Sequence, residues 1–339
     1  MSAKPFASFC FSTYKRPSYL KSTLESIRLQ QFTDYEVIVS DNDENQSGRE
    51  TVESFNDPRF KYFSNGENLG MKKSFNKSLE RSSGEYIVMI ADDDPVYPLM
   101  LQTLYDLKQE YPGYGMYLGG CDWYCTSHSV GKMYGFDVGT NSCLSNDHDI
   151  NFKKEYTAEE FLKQLFSFGI FPHYLWSTAI VKREVLVNAG GVPEYGTPFL
   201  GDYAYMATIG SHSGCVVINT SLGCQTLHEE NFGRKQNEQL VIAAKNFPPY
   251  IQSKASHLSN WSELDALIKK FTSLWIFSHM SFLHQYYKKA GGDKAGLKQA
   301  EKEVFKIDYI KPVQFKYFLK KNAGPLHDWL VKVKRAFRK

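Results

Sequence analysis

No run of about eighteen consecutive apolar residues, the length a helix needs to cross a bilayer, occurs in the chain. The opening MSAKPFASFCFSTYKRP also lacks the apolar centre of a secretory leader, so a cytosolic protein is the expectation. Cysteine is sparse. Cys10, Cys121, Cys125, Cys143, Cys215 and Cys224 form no CxxC pair and have no accompanying histidine spacing. This argues against zinc-ribbon and dithiol chemistry and leaves reduced thiols. An excess of charge is missing too: the formal net charge is +3, which implies no general polyanion-binding surface. Aromatic residues, by contrast, reach 15%. Such residues build sugar-contacting surfaces, but most serve as core.

The chain is organised around Gly84-Glu85-Tyr86-Ile87-Val88-Met89-Ile90-Ala91-Asp92-Asp93-Asp94-Pro95, an apolar run ending in three carboxylates. An unbroken apolar run bounded by Gly and Pro reads as a strand buried on both faces, the parallel-sheet pattern. Ligands of open α/β sheets bind beyond the carboxyl ends of the strands, where this acidic cluster falls. If the backbone stays extended, Asp92 and Asp94 project to one side, and at about 7 Å they repel by about 2 kcal/mol. A divalent cation would reverse that cost, and oxygen ligands suit Mg²⁺ or Mn²⁺. The alternative is a solvated turn cap.

Phe6 to Phe11 predicts a first buried strand, followed by a polar loop and a helix carrying Tyr19, Leu20, Leu24 and Ile27 on one face. Residues 35–41 predict the second strand and 59–64 a third, and a helix over about 71–82 leads into the acidic strand. Strands alternating with helices mean a doubly wound sheet, with Thr13, Asp41, Asn68 and Asp92 on one rim. Beyond it, the pattern predicts a helix over about 98–110, a strand at 114–120 and an irregular segment over 121–156. Thr157-Ala158-Glu159-Glu160 is a capping box opening a helix to about Phe168. A strand is expected at 174–181, a short helix at 182–189, a helix starting at Gly201-Asp202, and two closing strands at 216–219 and 222–227. From about Gln236 the periodicity changes to long helices, which places a domain boundary between 1–235 and 236–339. The first part divides again near residue 120.

Several of these segments resemble a GT-A-type glycosyltransferase of family 2. The resemblance covers about residues 5–235 and implies a nucleotide-sugar half over about 1–120 and an acceptor half over about 121–235. Phe11-Ser12-Thr13-Tyr14-Lys15-Arg16-Pro17 is similar to the family's opening loop, and Val39-Ser40-Asp41-Asn42 to its second-strand ending, whose acid contacts the base. Asn68-Leu69-Gly70 with Phe75-Asn76 resembles the approach to the metal-binding motif, here Asp92-Asp93-Asp94. Gly190-Gly191-Val192-Pro193 followed by Gly201-Asp202 resembles the turn before the acceptor-site acid. Thr226-Leu227-His228-Glu229-Glu230-Asn231 resembles the segment returning a histidine to the metal and diphosphate. There are two departures. Phe75 replaces the family's common arginine, leaving Lys72 or Lys73 to supply the charge, and Gly201 replaces one acid of the usual Glu-Asp pair.

The resemblance implies transfer from a nucleotide sugar, a uridine diphosphate sugar by preference, to a saccharide or lipid-linked saccharide, with inversion and with Mn²⁺ or Mg²⁺. Thr13, Tyr14, Arg16, Asp41 and Asn68 would form the nucleotide pocket, with Lys72, Lys73, Asp92, Asp93 and Arg234 at the ribose and diphosphate. Asp94, Asp92 and His228 would hold the metal, and Asp202 would be the general base. His173 and Trp176 are candidates for the acceptor pocket, although core packing suits Trp176 as well. Two alternatives stay open. One is a nucleotidyltransferase, against which stands the absence of glycine from residues 11–17. The other is a non-catalytic nucleotide-sugar-binding protein, which Gly201 would favour. After Gly324-Pro325, Leu326, Trp329, Leu330, Val333 and Phe337 form an apolar stripe beside Lys332, Lys334, Arg335, Arg338 and Lys339. Such a basic amphipathic helix reads as peripheral to an anionic inner membrane face, at about 1 kcal/mol per basic residue. Packing on its own chain or on a second copy is the alternative.

Overall fold

The computed structural model describes residues 4–144, 149, 151–169, 174–231 and 236–322. They fall into two compact units, the first containing 4–194, 201–229 and 257–259, the second 195–200, 230–256 and 260–322.

In the first unit β1 (Ala7–Thr13), α1 (Pro17–Arg28) and β2 (Tyr35–Asp41) open an alternation continued by α2 (Arg49–Glu53), β3 (Phe60–Ser64), α3 (Met71–Arg81) and β4 (Tyr86–Ala91). There follow α4 (Met100–Glu110), β5 (Met116–Cys125), α5 (His128–Tyr134), β6 (Gly139–Asn141), β7 (Lys153–Tyr156) and α6 (Ala158–Phe166). The unit ends with β8 (Ala179–Lys182), α7 (Arg183–Asn188), α8 (Gly201–Ser213) and β9 (Cys215–Leu227). Every residue of β1 and β2 is buried, which is why each has an apolar centre, Phe9-Cys10-Phe11 and Val37-Ile38-Val39. Proline at the first helical position starts α1, whose Leu20, Leu24 and Ile27 pack onto the sheet.

The strand order is β3-β2-β1-β4-β8-β5-β9-β7, with β6 on β5. The first four strands are parallel. β8 runs antiparallel between β4 and β5, and β5 and β9 are parallel again. The chain therefore has the expected doubly wound α/β fold. Register fixes the rim: Thr13 lies opposite Asp41, Asp41 opposite Ser64, and Ser12 opposite Ala91, the last residue of β4.

One carboxylate lies inside this framework. Glu36 of β2 is 4% exposed. It accepts bonds from Ser8 Oγ (2.7 Å), Ser83 N (2.6 Å), Ser83 Oγ (2.8 Å) and Lys61 Nζ (2.7 Å). Burial would raise its pKa, but these donors outweigh burial and hold it down at about 2. Gly84 donates to Ser8 Oγ at 2.9 Å, and a Cβ there would stand 2.6 Å from that oxygen and 2.8 Å from the Ala7 carbonyl carbon. Only glycine fits that approach.

Four expectations are corrected. The strand at 174–181 shrinks to β8, because Trp176–Thr178 forms a 3₁₀ turn in which the Thr178 hydroxyl donates to Leu175 O at 3.0 Å. The two closing strands are one, β9, whose register against β5 shifts around Gly120. The segment 121–156 is not irregular throughout: β5 extends to Cys125, and α5 follows with Ser127 as its N-cap. The acidic strand does not stay extended through Asp94, since β4 stops at Ala91 and a turn follows. The capping box at Thr157 forms as predicted, and all six cysteines are free and buried.

The second unit is helical: α9 (Asn237–Ala255), α10 (Trp261–Ala290), α11 (Lys294–Val304) and α12 (Lys311–Asn322). Leu240, Ala244, Ile276, Met280, Leu297, Val304 and Tyr317 form its core. Among the described residues no helix is long and apolar enough to cross a membrane. The basic stripe after Gly324 lies outside the described residues, as do His173 and Arg234.

Candidate active site

The turn after β4 aims three carboxylates in three directions. Asp92 is buried at 1% exposure, its Oδ2 accepting from Thr13 Oγ1 at 2.8 Å and its Oδ1 from Arg16 Nη2. Thr23 Oγ1 anchors its carbonyl at 2.9 Å. Asp93 accepts from Arg16 Nη1 at 2.8 Å, and the same Oδ2 lies 2.9 Å from His228 Nε2. Asp94 turns inward and accepts from the Thr226 amide at 3.1 Å. One arginine thus bridges two acids, and β9 delivers the histidine. The Tyr19 ring lies against His228 at a centroid distance of 4.5 Å.

The electrostatics follow from this crowding. Burial, and then the Asp93 charge, push Asp94 well above the carboxylate range. Burial likewise raises Asp92, against the pull of Arg16. Asp93 goes the other way, because its bonds to His228 and Arg16 outweigh burial. Arg16 supplies one positive charge to three clustered acids, so all three can be ionised together only when a further cation joins them. Such hard oxygen donors fit a divalent cation. Among the described residues no three His, Cys, Asp or Glu side chains converge as a complete ligand set.

Beside this turn, Asp41 ends β2 fully buried. Its Oδ1 accepts from Asp43 N at 2.8 Å, and its Oδ2 from Gly48 N at 3.0 Å and Tyr62 Oη at 2.9 Å. Asp41 therefore orders loop 42–48 from within. Tyr14 is exposed and Arg16 half-buried, both on the loop after β1. Asn68 is exposed, its Oδ1 accepting from Gly70 N at 2.9 Å in the turn before α3. Lys73 is exposed, whereas Lys72 is partly buried and burial pulls it down to about 8 against the opposing charge of Glu194.

Asp202 occupies the first turn of α8. The Trp176 amide donates to its carboxylate, yet burial prevails and pushes it up to about 6. The Gly190-Gly191 turn on the same side is clamped by Asn76, whose Oδ1 accepts from Val192 N at 2.8 Å. Gly191 has φ 79°, and a Cβ there would meet Asn76 Oδ1 at 2.4 Å. Trp176 is core, its ring lying against Phe75 at 4.9 Å and Tyr205 at 5.6 Å.

The family model described as Glycosyl transferase family 2 matches residues 8–187, just over half of the chain. The chain belongs to that family. It is similar to the Campylobacter jejuni GalNAc(5)-diNAcBac-PP-undecaprenol beta-1,3-glucosyltransferase, 32% identical over 120 residues, which are 34% of this chain and 38% of that one. The chain thus spans well under half the length of that relative. The fold is similar to S. aureus TarS 1-349 in complex with UDP-GlcNAc, with a TM-score of 0.58, 16% identity and coverage of 95% of this chain and 93% of that one. It is also similar to the mannosyltransferase PcManGT from Pyrobaculum calidifontis in complex with GDP-Man and Mn2+, with a TM-score of 0.51, 14% identity and coverage of 95% and 88%.

In this member of the family the structure brings Thr13, Arg16, Asp92, Asp93 and His228 into one hydrogen-bonded group and sets Asp94 next to it through the Thr226 amide. Sequence reasoning missed Tyr62 and Thr23, and it placed Tyr19 on the face of the first helix and Asn76 in the motif before the acidic strand without giving either a contact at the site. Tyr62 and Thr23 look like ordinary strand and helix residues, and nothing local marks their long-range partners.

Proposed function

We propose that the chain is an inverting, metal-dependent glycosyltransferase that moves a sugar from a uridine diphosphate sugar to a hydroxyl of a saccharide or lipid-linked saccharide. Its setting would be cell-surface polysaccharide synthesis at the inner face of the membrane. The observation that carries this reading is the meeting of Arg16, Asp92, Asp93 and His228, with Asp94 held beside them by the Thr226 amide, at the carboxyl ends of parallel strands. The UDP-GlcNAc complex of the TarS neighbour and the undecaprenol diphosphate in the Campylobacter relative's name support the donor and acceptor classes.

In this reading loop 42–48, braced by Asp41, faces the base, while Thr13, Tyr14, Arg16 and Asn68 surround the nucleotide. Lys72, Lys73 and Arg234 are assigned to the diphosphate. Asp94 would hold Mn²⁺ or Mg²⁺, with Asp92 and His228 flanking it. Magnesium characteristically takes one or two carboxylates together with substrate phosphates. When bound, the cation neutralises charge on the departing diphosphate.

Asp202 takes the proton from the acceptor hydroxyl as that oxygen bonds to the anomeric carbon. The bond from that carbon to the diphosphate oxygen breaks, uridine diphosphate leaves, and the anomeric configuration inverts. Asp202 then returns its proton to solvent. The experiment is a panel of nucleotide sugars with Mg²⁺ or Mn²⁺, read as released nucleotide. Release from a uridine diphosphate sugar that stops with chelator is expected, and release only from other nucleotides would overturn the donor assignment.

A further inference from the structure

We propose that the helical unit carries a second site, a lysine-walled hollow between α10, α11 and α12 that takes the diphosphate and first carbons of a lipid diphosphate. Its place in acceptor capture rests on the function proposed above, but its chemistry is argued from its own residues. The hollow has a volume of about 940 Å³, within the range of small-molecule sites and far more than a free phosphate fills.

Its wall holds Lys288, Lys294, Lys298, Lys302, Lys306 and Lys321 against two acids, Glu301 and Glu303. Both acids are already engaged. Glu301 is buried, with Lys321 Nζ 2.8 Å from each of its oxygens and the Tyr317 hydroxyl donating to it, and Glu303 pairs with Lys306 at 2.7 Å. Lys288, Lys294, Lys298 and Lys302 make no ion pair among the described residues. Three of them recur every fourth position along α11, about 6 Å apart on one side, a like-charge row that an isolated helix disfavours. Such a row is explained by a polyanion lying across it. His284, lining the same hollow, registers the field: burial and then the charges of Lys321, Lys288 and Lys294 lower its pKa against Glu301.

The floor is apolar. Tyr287, Leu297 and Phe305 are buried there, and Phe318 remains 39% exposed at the edge. A free phosphate has no use for that floor, and a nucleic acid backbone would follow an open groove rather than an apolar hollow. Phosphate joined to hydrocarbon satisfies both halves.

The test uses calorimetry on the full chain saturated with UDP and Mn²⁺, with farnesyl diphosphate, inorganic pyrophosphate and farnesol as probes. Farnesyl diphosphate is expected to bind about tenfold or more tightly than pyrophosphate, and farnesol not to bind. K298E/K302E, changing two exposed residues, should weaken farnesyl diphosphate about tenfold or more. Phe318→Ser should weaken farnesyl diphosphate and leave pyrophosphate unchanged. Absent farnesyl diphosphate binding, or wild-type affinity in K298E/K302E, would overturn the site, and equal affinity for pyrophosphate would overturn the lipid assignment. UDP binding is read first, in the titration that saturates the chain: intact UDP binding with no lipid binding refutes this site alone, whereas absent UDP binding counts against the donor reading.

Discussion

Replacing Asp202 by asparagine tests the chemistry most directly, because the structure separates its charge from its fold. The Trp176 amide that donates to the carboxylate can donate equally to the asparagine Oδ1, so α8 should stay in place. What disappears is the proton acceptor. Burial holds the Asp202 carboxyl up at about 6, so at pH 7 about nine tenths of it is ionised. A base must be deprotonated to act, so transfer by wild type should fall about tenfold per pH unit below that value and level off above it. Asp202→Asn should transfer about 10²-fold more slowly at neutral pH, or about 2.7 kcal/mol of barrier, and should lose the acid limb. Initial rates from about pH 5 to about pH 8 supply the profile, and calorimetry with UDP should show donor affinity within a few-fold of wild type. Near wild-type transfer by the variant, or an acid limb that survives in it, would refute the role of Asp202 as base.

Other residues give independent tests. Asp94→Asn should abolish the chelator-sensitive part of UDP affinity with Mn²⁺ present, and unchanged affinity in calorimetry would count against Asp94 as the metal ligand. Glu36→Gln should cost about 2 kcal/mol in urea denaturation at neutral pH, below a ceiling of about 3 because Lys61 is 47% exposed. Since folding depresses this carboxyl from 4.5 to about 2, its contribution is full above 4.5 and fades as pH falls towards 2. A difference from wild type that stayed constant through that window would contradict the assignment. Gly84→Ala should destabilise the chain by about 1–3 kcal/mol through the Ser8 and Ala7 contacts, and a neutral melting temperature would mean the loop yields. A chain ending at Asn322 should bind anionic vesicles more weakly than full-length protein at low salt, and equal co-sedimentation would remove the tail as a membrane anchor.

The rim was legible because buried parallel strands announce themselves as apolar runs, and the polar residues that end them must fall at the carboxyl edge. Thr13, Asp41 and Asp92 could be placed that way. What each acid touches could not, since the partners come from far along the chain. Tyr62 reaches Asp41 from β3, and Thr226 reaches Asp94 across 132 positions. The pairing of Asp92 with Asp94 failed for a local reason: the backbone turns after Ala91, so alternation no longer says which way a side chain points. The strand at 174–181 failed because aromatic packing of Trp176 and a threonine bonding backwards outweighed β propensity. The lysine hollow left only a charge pattern on α11, which by itself reads as an exposed helix face.

The level ending of β1, β2 and β4 has a consequence for how this chain can change. Strand residues alternate faces with a period of two, so one residue inserted within β4 would send every later side chain of that strand to the opposite layer. The apolar set would then be misplaced, and the turn bearing Asp92 would rotate away from Thr13 and Arg16. The loops beyond the rim carry no such indexing, and residues can be added there at a slowly rising entropic cost. Length is therefore frozen below the rim and free above it. Insertions that retune substrate choice should collect in the loops after β1, β2 and β4, while those strands keep their residue counts.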